Sequence, residues 1–191
     1  MSILDLGCGQ RKLPGSVGID LSENSEADVI HDLNHFPYPF PDNRFDIVHC
    51  DGILEHLDDI VRVMEEIHRI SKPGARVEIV APYFTSVDAY TDPTHKRFFT
   101  MRSFDYFTGD FPEYSFYARS RFRRTKVEVS FWQIPRLRGL RIQHLVGAHW
   151  LARWFPSIYE RFFAYLLPAQ LIRYELEVIK PDASPQTLSH E

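Results

Sequence analysis

Cysteine is almost absent from the chain, which carries only Cys8 and Cys50 among 191 residues. Two isolated thiols exclude a disulfide framework and show no metal-type pairing, so no metal is expected. No secretory leader is expected, and a reducing cytoplasm is the expected compartment. Long apolar runs are missing too: none reaches the roughly 18 residues a membrane span requires. Excess positive charge is lacking, and a net charge of -4 gives no general electrostatic reason to bind nucleic acid. One local run differs. Arg119, Arg121, Arg123, Arg124 and Lys126 stand close together, which reads as a solvated approach to a strand, with a phosphate-bearing partner as the sharper alternative.

What is present is an ordinary globular balance, 44% hydrophobic and 25% charged residues, enough for one domain over residues 1–180. The tail 181–191, PDASPQTLSHE, has little to bury and is expected to be mobile. Apolar runs alternate with turn or helix signals through the first half, the pattern of an α/β sheet with mostly parallel strands. Strands are expected near Ser2–Leu6, Val17–Asp20, Asp28–His31, Phe45–Cys50 and Arg76–Ala81. Between the last two, HLDDIVRVMEEIHRI places Leu57, Ile60, Val61, Met64, Ile67 and Ile70 at helical spacing, and Pro73–Gly74 follow as a stop. Residues 82–117 have weak periodicity, with a short helix expected around Met101–Phe107. Lys126–Ile134 and Leu171–Lys180 alternate as strands, and an aromatic helical segment, Val146–Leu167, lies between them.

The stretch ILDLGCGQRKLPGSVGID opens like a strand entering a nucleotide loop. A dinucleotide fingerprint needs a third glycine, but Lys12 stands there, and Asp20 arrives eleven residues after Gly9 rather than about twenty. QRKLPGS is too short for a helix whose N-terminus would hold a pyrophosphate. A ligand with a ribose and no phosphates suits what remains: Gly7 and Gly9 permit close approach of backbone, and Asp20 can accept from two ribose hydroxyls.

At this point LDLGCG followed by GID resembles the cofactor loop of the class I S-adenosylmethionine-dependent methyltransferases. HDLNHFPYPFPDNRFDIVHC and DGILEHLDDIVRVMEEIHRISKPGARVEIVAPYF resemble the family's later segments in the same order, so the resemblance covers Ile3 to Phe84. It implies a Rossmann-like doubly wound, mostly parallel sheet of seven strands with an antiparallel last strand. It also implies S-adenosyl-L-methionine as cofactor, with Asp5 supporting the loop, Gly7, Cys8 and Gly9 lining the methionine moiety, Asp20 and Leu21 at the ribose, and Asp32 and Leu33 at the adenine. Cys50 and Asp51 would border the methyl-transfer position, with Cys50 given no catalytic part. The chain departs from the family in its reduced first helix, which implies a more open pocket.

After the fifth strand, DAYTDPTHKRFFT is the densest set of polar candidates, and DPTHKRFF resembles a segment found there in a subset of these enzymes. A hydroxyl acceptor needs a base, and His95 is the first choice for the base or orienting group, against a structural reading in which His95 and Arg97 brace the loop. His56 reads as a helix-start residue, Asp92 as a turn cap, and Tyr83 and Tyr90 as pocket lining or loop core. The acceptor is expected to be an oxygen on a small molecule, saccharide or lipid-linked glycan. Nucleic acid is unlikely as acceptor, because APYF stands where the family's Asn/Asp-Pro-Pro-Tyr/Phe signature would be.

AHWLARWFPSIYERFFAYLLPAQ, Ala148–Gln170, leaves little room for a polar face. It is expected to pack on the sheet or across a homodimer, or else to lie at the inner face of a membrane as a peripheral contact. A non-catalytic cofactor-binding or scaffold protein acting through this segment is the rival function, and a nicotinamide-dependent oxidoreductase a further one, disfavoured by the missing glycine.

Overall fold

The computed structural model describes residues 1–109, 118–131 and 147–181. Seven strands form one sheet: β1 Ile3–Leu6, β2 Val17–Asp20, β3 Val29–Ile30, β4 Phe45–Asp51, β5 Ser71–Pro82, β6 Phe122–Ser130 and β7 Leu171–Val178. Their order is β3-β2-β1-β4-β5-β7-β6. β1 pairs parallel with β2 and β4, β2 with β3, and β4 with β5, whereas β7 runs antiparallel between β5 and β6. The architecture is therefore the seven-stranded, mostly parallel sheet with an antiparallel last strand that the resemblance implies.

The centre of the sheet is covered on both faces. In β1, consecutive residues Leu4, Asp5 and Leu6 are all buried, and in β4 Val48 and Cys50 have no exposed surface. Such strands can be apolar throughout, which is why they read as short unbroken runs. β7 instead alternates, burying Ile172, Tyr174, Leu176 and Val178 on one face.

The helix after β4 begins later than the sequence pattern suggests. Leu54–His56 form a separate 3-10 turn, and α1 spans Ile60–Ile70. The Asp59 side chain accepts from the Arg62 amide at 3.0 Å and caps the helix there. α1 buries Val63, Met64, Ile67 and Ile70. It ends at Ser71, whose hydroxyl donates to the Ile67 carbonyl, and the chain enters β5 directly, turning at Gly74. β6 starts four residues earlier than expected, and the end of the expected strand, 132–134, lies outside the described residues, as does the tail beyond Pro181. The basic run falls on this edge strand and its approach, with Arg123 on Glu177, Arg124 on Asp105 and Lys126 on Glu128. Three of the five basic residues are thus paired with acids of the fold.

After β5 come α2, Asp88–Thr91, and a 3-10 turn at Asp105–Phe107 within the short helix expected there. The aromatic segment breaks at Pro156 into α3, Ala148–Trp154, a turn at Pro156–Ile158 and a π-helical turn at Tyr159–Phe163. Its small residues Ala148, Ala152 and Ala164, with Tyr159, face inward. Trp150, Trp154, Phe155, Phe162, Tyr165 and Leu166 face out, each more than half exposed. No helix among the described residues is long and apolar enough to cross a membrane.

Candidate active site

The carboxyl ends of β1, β2 and β4 converge with the loops after β3 and β5, the edge where open α/β sheets hold ligands. On the β1 side the chain turns through residues 7–16 without a helix. Three carboxylates hold this loop. Buried Asp5 accepts from the Leu13 amide at 2.8 Å, and Asp28 accepts from the Gly18 amide at 2.7 Å while pairing with Lys12 at 2.9 Å. Asp20 accepts from the Gly9 amide through Oδ2 and from the Ser22 amide through Oδ1, both at 2.9 Å. Burial pushes the Asp5 carboxyl above its ordinary range against the opposing pull of the Leu13 amide. Lys12, the residue that breaks the dinucleotide fingerprint, thus ties the loop to β2 in place of a helix.

The two loop glycines serve different ends. Gly7 has φ +71°, and a Cβ there would sit 2.4 Å from Ile53 Cγ1 and 2.7 Å from Ile53 Cβ, so the loop could not close on the β4 side. Gly9 has φ +53°, and a Cβ there would meet nothing within 4 Å. Gly9 therefore borders open space. Gly7→Ala should destabilise the fold by about 2–5 kcal/mol, from the left-handed backbone plus overpacking, whereas Gly9→Ala should cost about 1–2 kcal/mol. Urea unfolding of the two variants measures the difference.

Of the other expected cofactor residues, Leu21 is exposed and Leu33 buried, its carbonyl accepting from the Tyr38 hydroxyl at 3.0 Å. Asp32 accepts from the Asn34 amide at 2.9 Å and stands 3.1 Å from His35. Cys8 is buried against the loop, its thiol pushed up to about 11 first by burial and then by Asp5 and Asp20. Cys50 lies wholly in the core, its thiol also pushed up by burial, so only Asp51 and Gly52 beyond it reach the rim.

On the β4–β5 side, the turn Leu54–His56 meets the loop carrying His95. The Glu55 carbonyl accepts from the amides of Lys96 at 2.7 Å and Arg97 at 3.1 Å, and Arg97 also donates to the Asp58 carbonyl. The rings of His56 and His95 meet edge to face at 4.7 Å. His95 Nδ1 lies 3.1 Å from the Ala89 carbonyl and Nε2 4.0 Å from Glu55 Oε1. Asp92 caps its turn by accepting from the Thr94 amide and hydroxyl. Burial raises the Glu55 carboxyl; burial, then His95, lowers the His56 imidazole. These groups open on a cleft of about 580 Å³ bounded by Gly52, Pro82 and Asp88. Tyr83 is core, bonded to Glu160 at 3.0 Å, while exposed Tyr90 stacks on Phe98.

Glu55 was not among the expected site residues. It lies just ahead of the helical pattern that begins at His56, where no periodicity reports its burial, and the 3-10 turn Leu54–His56 buries it.

Comparison with known proteins agrees with this geometry. A family model described as a methyltransferase domain matches residues 4–79. An uncharacterized methyltransferase of Schizosaccharomyces pombe is 48% identical over 42 residues, 22% of this chain and 15% of the relative. A demethylmenaquinone methyltransferase of Geobacillus stearothermophilus is 36% identical over 70 residues, 30% of each chain. The chain thus spans less than a third of either relative. A crystal structure of an S-adenosylmethionine-dependent methyltransferase from Archaeoglobus fulgidus superposes with a TM-score of 0.60 at 21% identity, covering 92% of this chain and 85% of that one. Residues 4–79 thus match a methyltransferase-domain model, and the strand order with its antiparallel β7 gives the chain the fold of the S-adenosylmethionine-dependent methyltransferase on which it superposes.

Proposed function

We propose that the chain binds S-adenosylmethionine and transfers its methyl group to an oxygen of a small-molecule, saccharide or lipid-linked acceptor. The observation that carries the reading is the pairing of Gly9 and Asp20: an open backbone edge at the end of β1 beside a carboxylate at the end of β2. A carboxylate offers about four acceptor positions, and two are taken by the Gly9 and Ser22 amides, so about two remain for a ribose diol. Asp32, with the backbone of Leu33, is the adenine-side partner in this reading. Gly7, Cys8, Gly9 and Leu21 frame the rest.

When bound, the cofactor supplies a methyl carbon activated by its sulfonium. The protein aligns the acceptor oxygen with that carbon and excludes water. His95 is the residue assigned to the acceptor, orienting its hydroxyl and taking its proton through Nε2, since Nδ1 is engaged by Ala89. The exposed aromatic face of residues 150–166 is proposed as a peripheral membrane contact at which an apolar acceptor is met, with Arg153 and Arg161 at its boundary.

Titration calorimetry tests the core of the reading. S-adenosylhomocysteine should bind with one site per chain and NAD should not. Heat from NAD and none from S-adenosylhomocysteine would overturn it.

A further inference from the structure

Among the described residues, one cluster offers three ligand atoms of metal-binding type: Glu55, His56 and His95 each place one within 4.8 Å of the others. The set joins two imidazoles to a carboxylate, a combination suited to a divalent transition ion with open positions for water or substrate.

Three independent observations turn proximity into a built site. Glu55 is only 2% exposed, yet its Oε2 has no hydrogen-bond partner. Buried carboxylate oxygens are rarely left so. Second, the 4.0 Å between Glu55 Oε1 and His95 Nε2 is too long for a hydrogen bond. It fits two donors on one ion, which at bond lengths of about 2.0–2.2 Å stand at most about 4.4 Å apart.

The third is the state of the rings. The Ala89 carbonyl can only accept, so His95 donates to it from Nδ1, and in the neutral ring the lone pair then sits on Nε2. The Thr94 hydroxyl donates to Asp92 at 2.6 Å, so at 2.8 Å from His56 Nδ1 it accepts. His56 Nδ1 therefore donates, and in the neutral ring its lone pair also sits on Nε2. Each ring is held in place through Nδ1, which leaves its other nitrogen for an ion.

We infer that Glu55, His56 and His95 form a binding site for one divalent ion of the zinc type, facing the cleft after β4 and β5. The sequence showed no metal-type pairing among cysteines, and this site uses none. With the ion bound, His95 Nε2 is a ligand and does not take the acceptor's proton; the ion holds the acceptor oxygen and acidifies its hydroxyl, whose proton passes to water, a role that rests on the methyltransferase reading. Binding itself does not.

The test uses the full chain without an affinity tag, stripped with chelator and titrated with zinc chloride and, separately, cobalt(II) chloride. One equivalent should bind, and cobalt should give the visible absorption of a low-coordinate nitrogen–oxygen site. Glu55→Gln, His56→Ala and His95→Ala should each weaken zinc by at least about 100-fold and abolish the cobalt band. Thr94→Val, which releases His56 and leaves Asp92 the Thr94 amide as its cap partner, should weaken it about 10- to 100-fold. Failure to take up one equivalent, or equal affinity in Glu55→Gln and Thr94→Val, overturns the site. Titration with S-adenosylhomocysteine separates the two readings. If it binds and zinc does not, only the metal site falls; if zinc binds and it does not, the site stands and the methyltransferase reading falls.

Discussion

Asp20→Ala should abolish detectable S-adenosylhomocysteine binding. The carboxylate stands at the end of β2 with both oxygens already fixed by the Gly9 and Ser22 amides, so it is aimed before any ligand arrives. Two hydroxyls bonded to an ionised acceptor are worth about 1.5–3 kcal/mol each. Their loss weakens binding by roughly two to four orders of magnitude. The variant should also lose roughly 1–2 kcal/mol of stability, because the Gly9 edge loses its anchor. Asp20→Asn separates the two effects: its amide oxygen can still hold one backbone N–H, so stability should largely return while affinity stays well below wild type. Calorimetry alongside denaturant unfolding reads both. Wild-type affinity in Asp20→Ala would remove the ribose from this position.

The double change Trp154→Glu with Phe155→Glu should remove the protein from anionic vesicles in a flotation assay, with S-adenosylhomocysteine binding unchanged. Trp154 is 63% and Phe155 57% exposed, beside Trp150, Phe162, Tyr165 and Leu166. So many exposed large apolar side chains within one segment suit an interaction face. Inserting two such rings even halfway gains about 3 kcal/mol, so their loss lowers partitioning about 100-fold before any cost of burying glutamates. A wild-type chain that stays in solution with vesicles, and sediments as a dimer, would assign the face to a second copy and end the membrane reading.

The parallel half of the sheet was legible in the sequence because buried central strands and their glycine turns leave unbroken apolar runs. β7 was legible through its period of two. β6 was read late because FRRTKVEVS, an edge strand, spends its first residues on charges that pair with Glu177, Asp105 and Glu175 rather than on an alternating face. The start of α1 was misplaced because the Leu57 side chain continues the helical spacing through a 3-10 turn. The true boundary lies in the bond from Arg62 to Asp59, which no periodicity reports. That one displacement hid the site's second half. With the helical pattern running from His56, that residue read as a helix start, and Glu55 just ahead of it gave no signal of burial. His95 was legible by its chemistry and by the family segment around it, but its neighbours arise from contacts nearly forty residues apart in the chain.

The hold of the Glu55 carbonyl on the Lys96 and Arg97 amides bears on how such a protein can diversify. The attachment is backbone to backbone, so it survives any substitution at positions 96 and 97 except proline. Side chains around the cleft can change while the loop that carries them keeps its seat, and the cofactor half, held by Asp5, Asp20 and Asp28, is untouched by such change. New acceptors can therefore be explored by point substitution, without redesign of the scaffold.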